Sequence, residues 1–76
     1  MKPHSTKVLV FKSNLIAEED VLTVKPLMDN HPGVLRWNVD QQDIDYILRV
    51  EANDVTPTEI EDLVVAAGFF CEELPD

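Results

Sequence analysis

Leu35-Arg36-Trp37-Asn38-Val39-Asp40-Gln41-Gln42-Asp43-Ile44-Asp45-Tyr46-Ile47-Leu48-Arg49-Val50-Glu51 is the stretch that decides the fold of this chain. In its first part Leu35, Trp37 and Val39 alternate with Arg36, Asn38 and Asp40; in its last part Tyr46, Leu48 and Val50 alternate with Ile47, Arg49 and Glu51. Successive side chains of a strand point to opposite faces, so each run reads as a half-buried strand. The short polar link Gln41-Gln42-Asp43 suits a hairpin, which pairs the two strands antiparallel. Trp37 falls on the apolar side of its strand and is expected in the core, with an exposed binding anchor as the alternative.

On the C-terminal side, Thr56-Pro57-Thr58-Glu59 combines a capping box with proline at the first helical position, a firm helix start. Ile60, Leu63, Val64 and Ala67 form the apolar stripe of that helix, and Gly68 supplies a residue that tolerates left-handed geometry at its end. Phe69-Phe70-Cys71 is expected to begin a last strand before Pro75. On the N-terminal side, Val8-Leu9-Val10-Phe11 reads as a central strand buried on both faces. A helix is expected over residues 17–30, with Val21, Val24, Leu27 and Met28 on its apolar side and Glu18, Glu19 and Asp20 at the positive end of its dipole. Pro32-Gly33 stops it, and Pro26 predicts a kink or a late helix start.

The order strand, helix, strand, strand, helix, strand is the split βαβ pattern. It predicts an α+β, ferredoxin-like βαββαβ sandwich: a four-stranded antiparallel sheet with two helices on one face. Residues 1–76 then form a single domain, with residues 1–6 as a flexible N-terminal tail. The open sheet face and the edge strands are the expected contact surfaces, since a sheet edge can add a strand from another chain.

Composition narrows the function classes. With 76 residues, 45% of them hydrophobic and only two glycines, the chain is globular and long enough for one core layer, leaving little room for a deep catalytic cleft. Fifteen acidic against six basic residues give a net charge of -9, which repels phosphate backbones and anionic lipid, so neither nucleic acid nor membrane is an expected partner. The acidity reads as solubility, with attraction to a basic partner as the alternative. A single cysteine, Cys71, allows no intramolecular disulfide, and the N-terminal residues show no secretory pattern; a cytoplasmic location is the expectation. The apolar run from Leu63 to Cys71 is about half of the ~18 residues a membrane span needs.

Several residues together resemble the heavy-metal-associated (HMA) domain family, the fold of copper chaperones and of N-terminal modules of metal-transporting ATPases. They are Val24 and Met28 followed by His31-Pro32-Gly33-Val34, the Trp37 to Val50 hairpin, and Ala66-Ala67-Gly68-Phe69. The resemblance runs from Val8 to Leu74. It implies a ferredoxin-like fold, a metal site made by a Cys-x-x-Cys in the loop entering the first helix, and a habit of docking to a protein partner. Counting back from Gly33 puts Ala17 and Asp20 at the two cysteine positions. Copper(I) is a soft ion that wants thiolates, and Ala17-Glu18-Glu19-Asp20 offers only carboxylate oxygens.

The remaining chemistry-bearing residues point away from catalysis. Three adjacent acids diverge around a helix and do not build the oxygen cage a calcium ion needs, so Glu18, Glu19 and Asp20 read as solvated charge. Cys71 after two phenylalanines reads as a small apolar filler. His4 lies in the expected tail, and His31 caps the first helix. No serine or cysteine has a base nearby in sequence, and no glycine-rich phosphate loop exists. The expectation is a small non-catalytic domain with no cofactor and no metal, acting as a protein-interaction module with an unknown protein partner, and itself a monomer or weak homodimer. The alternative is a metallochaperone or sensor using Cys71 with His31; a third reading, an enzyme acting through acidic residues, has no cleft to stand on.

Overall fold

A computed structural model describes residues 6–74. Its elements are β1 (Lys7–Ser13), α1 (Glu18–Asp29), β2 (Val34–Asp40), β3 (Ile47–Ala52), α2 (Pro57–Ala66) and β4 (Cys71–Glu73). The four strands form one antiparallel sheet in the order β2-β3-β1-β4, the ferredoxin-like arrangement. β1 and β3 are central; β2 and β4 are the edges.

The core lies between the sheet and the helices. Phe11, Leu48 and Val50 from the strands meet Val24 and Met28 of α1 and Ile60 and Val64 of α2, all fully buried. Each such side chain contributes about 1.5–3 kcal/mol of burial. Leu15, also fully buried, plugs the sheet where β1 gives way to α1. Trp37 packs against this core while remaining half-buried.

Local chemistry bounds α2 at both ends. The Thr56 hydroxyl accepts the Glu59 N–H at 3.2 Å and the Glu59 carboxylate accepts the Thr56 N–H at 2.9 Å, closing the capping box. At the other end of α2, Gly68 takes φ 94°, and the N–H groups of Gly68 and Phe69 donate to the Val65 and Val64 carbonyls at 2.9 and 3.1 Å. That is a Schellman termination, which requires the left-handed residue Gly68 provides. Gly33 is needed for another reason: a Cβ there would lie 2.8 Å from the Asn53 carbonyl oxygen, so the chain passes too closely for any side chain.

The structure corrects several expectations. β1 is not buried on both faces; Leu9 and Phe11 point inward, but Val8 is 57% exposed, because among the described residues no layer covers the second sheet face. Leu35 does not share the inward face with Trp37 and Val39. Val34 pairs with Ala52 and Arg36 with Glu51, so Leu35 is an extra residue in the ladder and lies 53% exposed. The hairpin link is longer than three residues, running over 41–46, and Tyr46 stands before β3 with a positive φ of 48° rather than within the strand. β4 starts at Cys71, after both phenylalanines. Leu27 is 39% exposed, off the buried stripe. α1 has no late start: it begins at Glu18 and runs through Pro26. Pro26 and Leu22, four residues before it, both face solvent, so water can take the carbonyl bond that proline leaves unmade. Thr6, assigned to the tail, donates through its hydroxyl to the Asn53 side chain at 3.3 Å. Residues 1–5, including His4, and Pro75 lie outside the described residues.

Candidate functional site

Sheet topology decides which candidate residues can meet. Cys71 pairs with Ser13 at the end of β1, whereas His31 precedes Val34, which pairs with Ala52, itself opposite Lys7 at the start of β1. Six residues of extended chain separate those two levels, about 20 Å. Cys71 and His31 therefore sit at opposite ends of the sheet and cannot share an ion. The Cys71 thiol is buried, and its pKa is pushed up to about 12, first by that burial and then by the nearby Glu61 carboxylate. Such a thiol is protonated at neutral pH and is a poor nucleophile or ligand. His31 does not cap α1, whose C-cap is Asn30: its Nδ1 accepts the Gly33 N–H at 3.1 Å, shaping the turn into β2.

The loop between β1 and α1 holds the two positions at which the resemblance places thiolates. Ala17 is the residue before the first turn of α1 and offers only a methyl group. Asp20 turns its carboxylate back onto its own loop, where Oδ2 accepts the N–H groups of Ile16 and Ala17 at 3.2 and 3.1 Å. Capping of this kind satisfies donors that a helix start leaves open. These residues do not fit copper(I): there is no thiolate, and the one carboxylate is already engaged. Among the described residues, no group of three or more His, Cys, Asp or Glu side chains is placed to hold a metal ion.

What this end of the sheet presents instead is apolar. Ile16 from the β1–α1 loop, Ile44 from the β2–β3 link and Phe70 from the α2–β4 link are 57%, 86% and 56% exposed. With Tyr46 they line one open groove of about 340 Å³. Three segments far apart in sequence are locked together beneath it. The Ser13 N–H donates to the Asp45 carbonyl at 3.0 Å and its hydroxyl to the Tyr46 carbonyl at 2.6 Å. Gln41 Nε2 donates to the Leu15 and Ile16 carbonyls at 3.4 and 3.1 Å. The open sheet face, expected as the contact surface, holds a smaller depression of about 80 Å³ beside Val8 and the Arg36–Glu51 ion pair at 3.6 Å. Sequence reading missed the end cluster, because single apolar residues in separate loops carry no periodicity; Ile44 flanked by Asp43 and Asp45 was its one visible sign.

A second groove, of about 560 Å³, follows edge strand β2, with Trp37 against α1. There the indole N–H donates to Asp29 Oδ1 at 3.0 Å. That bond, with a second from Lys25, holds the Asp29 carboxyl below the usual carboxylate range. No described helix is long and apolar enough to cross a membrane.

Comparison with solved structures places the fold. The HMA domain of a copper chaperone for superoxide dismutase, in its apo form, superposes with a TM-score of 0.78 at 16% identity, over 99% of this chain and 74% of that one. The yeast copper transporter domain Ccc2a gives 0.74 at 20% identity, over 91% and 96%. A chain of the Atx1-Cu(I)-Ccc2a complex gives 0.73 at 20%, over 91% and 96%. At these identities the likeness is one of fold, and the fold is that of HMA domains. No protein-family model matches the sequence, and no curated protein matches it.

Proposed function

We propose that this chain is a non-catalytic protein-interaction domain of HMA fold that does not carry copper(I) in its β1–α1 loop, and that it works in the cytoplasm as a monomer or weak homodimer. The observation that carries the reading is the fate of Asp20. At one of the two positions where the resemblance places a metal-binding thiolate, a carboxylate is spent on the N–H groups of Ile16 and Ala17. The loop is thereby finished without an ion.

The partner is a protein because the net charge of -9 opposes nucleic acid and anionic membrane, and because a domain of the same fold occurs in the Atx1-Cu(I)-Ccc2a complex. The described grooves are open and shallow rather than enclosing, which suits a docking surface better than an active site. Titration of the reduced protein with copper(I) and with zinc against competing chelators tests the reading. No stoichiometric complex is expected with either ion; a submicromolar one-to-one complex with either would overturn it.

A further inference from the structure

We propose that the groove formed by Ile16, Ile44, Tyr46 and Phe70 is the docking site, and that its occupant is a segment of a partner protein in which aliphatic or aromatic side chains are flanked by lysine or arginine. This deepens the interaction reading above and rests on it.

Three observations support the assignment. The first is apolar exposure: Ile16, Ile44 and Phe70 are each more than half exposed, and they come together on one groove instead of being scattered. A contiguous apolar cluster on a domain this small marks an interaction surface. The second is rigidity. Asn14 clamps Phe70, whose N–H donates to Asn14 Oδ1 at 2.9 Å, and Ser13 holds the carbonyl of Tyr46. Tyr46 itself is left-handed at φ 48°, a conformation that side-chain-bearing residues rarely adopt and that gathers at binding sites. A surface ordered in advance loses little freedom when a partner arrives.

The third observation is charge, and it selects the occupant. Asp45 and Glu72 are the acidic residues of the groove lining, and Ile44 lies between Asp43 and Asp45 in the chain. Lys12, the base on the groove wall, is 3.7 Å from Glu72 and so already partnered. With Lys12 and Glu72 paired, Asp45 and the chain's net charge of -9 leave the groove in a negative field, which complements apolar side chains set among cations. A second copy of the chain brings the same net charge of -9 and is repelled.

The test is selection of random linear peptides displayed on phage against the full chain, followed by titration of the recovered peptides into isotope-labelled protein by NMR. Enriched peptides should carry apolar residues beside lysine or arginine and shift the amides of Ile16, Ile44 and Phe70. Their affinity should fall at least tenfold on Ile44→Asp and on Phe70→Ser, and should weaken with added salt. Circular dichroism checks that both variants are folded; two variants on different loops guard against a local collapse in either. Peptides that bind both variants undiminished, or that map to Val8 on the open sheet face or to the Trp37 groove, would overturn the site and leave the interaction reading standing. Peptides free of lysine and arginine would overturn the partner chemistry, and concentration-dependent shifts at the groove without peptide would replace the partner by a second copy. Recovery of no peptide above background would sink the site and the interaction reading together.

Discussion

Asn14 and Phe70, 56 residues apart, hold each other's backbone: the Phe70 N–H donates to Asn14 Oδ1 at 2.9 Å, and the Asn14 N–H donates to the Phe70 carbonyl at 3.2 Å. The end of β1 is thereby stitched to the start of β4 before their ladder begins at Ser13 and Cys71. Asn14→Ala removes one of the two bonds and is expected to cost about 0.5–1.5 kcal/mol. For a domain of this size that lowers Tm by about 4–8 °C per kcal/mol. Hydrogen exchange at the Phe70 amide should accelerate more than at Val50 in the sheet centre; equal acceleration would show that the clamp is not local.

The capping box of α2 makes a second prediction. Thr56→Ala leaves the Glu59 N–H without its side-chain acceptor and should destabilise the domain by about 0.5–2 kcal/mol, whereas Thr56→Ser should restore most of it. Urea unfolding of the three proteins measures this, and an unchanged midpoint in the alanine variant would contradict it.

Asp29 and Trp37 provide a pH-dependent signal. The indole and Lys25 stabilise the ionised carboxylate, so the folded pKa is lower than the unfolded one. The contribution is present above the ordinary Asp value of about 3.9 and is lost as pH falls through the lower folded value. Trp37 is the single tryptophan, so its fluorescence reports on this bond. Acid titration should give a midpoint below about 3.9 that is absent in Asp29→Asn; a midpoint at or above that value would contradict the account.

Cys71 predicts the opposite slope. Its thiol is held protonated up to about 12 by burial and by the Glu61 carboxylate, while an unfolded cysteine ionises near 8.5. Between those values the folded chain keeps a proton that the unfolded chain releases, so stability falls as pH rises. The drop in urea midpoint from neutral to alkaline pH should be larger for the wild type than for Cys71→Ala. The native thiol should also resist alkylation until the chain is unfolded. Rapid alkylation of the folded protein would place the thiol at the surface.

Features written in local chemistry were legible before any coordinates. Thr56-Pro57-Thr58-Glu59 and Gly68 needed only their own backbone neighbours to define α2, and the alternation of Trp37 to Val50 sufficed for the β2–β3 hairpin. Misreadings arose where a distant pairing decides. Leu35 looks like the first inward residue of β2, but the register of Val34 on Ala52 makes it a bulge. Val8 looks buried because a run of branched residues resembles a covered strand, yet it is 57% exposed and no described element lies over that face. Ile16, Ile44 and Phe70 form a cluster only because the sheet order brings three loops to one end. That residues 17–20 contain no cysteine was legible in the sequence. The bonds Asp20 makes to the Ile16 and Ala17 N–H groups were not, since they depend on how the loop turns those groups.

The central claim, an HMA fold whose metal loop has been closed by its own side chain, is tested most directly by titrating copper(I) into two reduced proteins side by side: the wild type and Ala17→Cys/Asp20→Cys. Thiolates at those two positions supply the soft ligands copper(I) requires. The account predicts no stoichiometric complex for the wild type and one copper(I) per chain, at submicromolar affinity, for the double variant. Tight one-to-one binding by the wild type would contradict it, and failure of the double variant to bind would show that this loop is not the counterpart of the family's metal site.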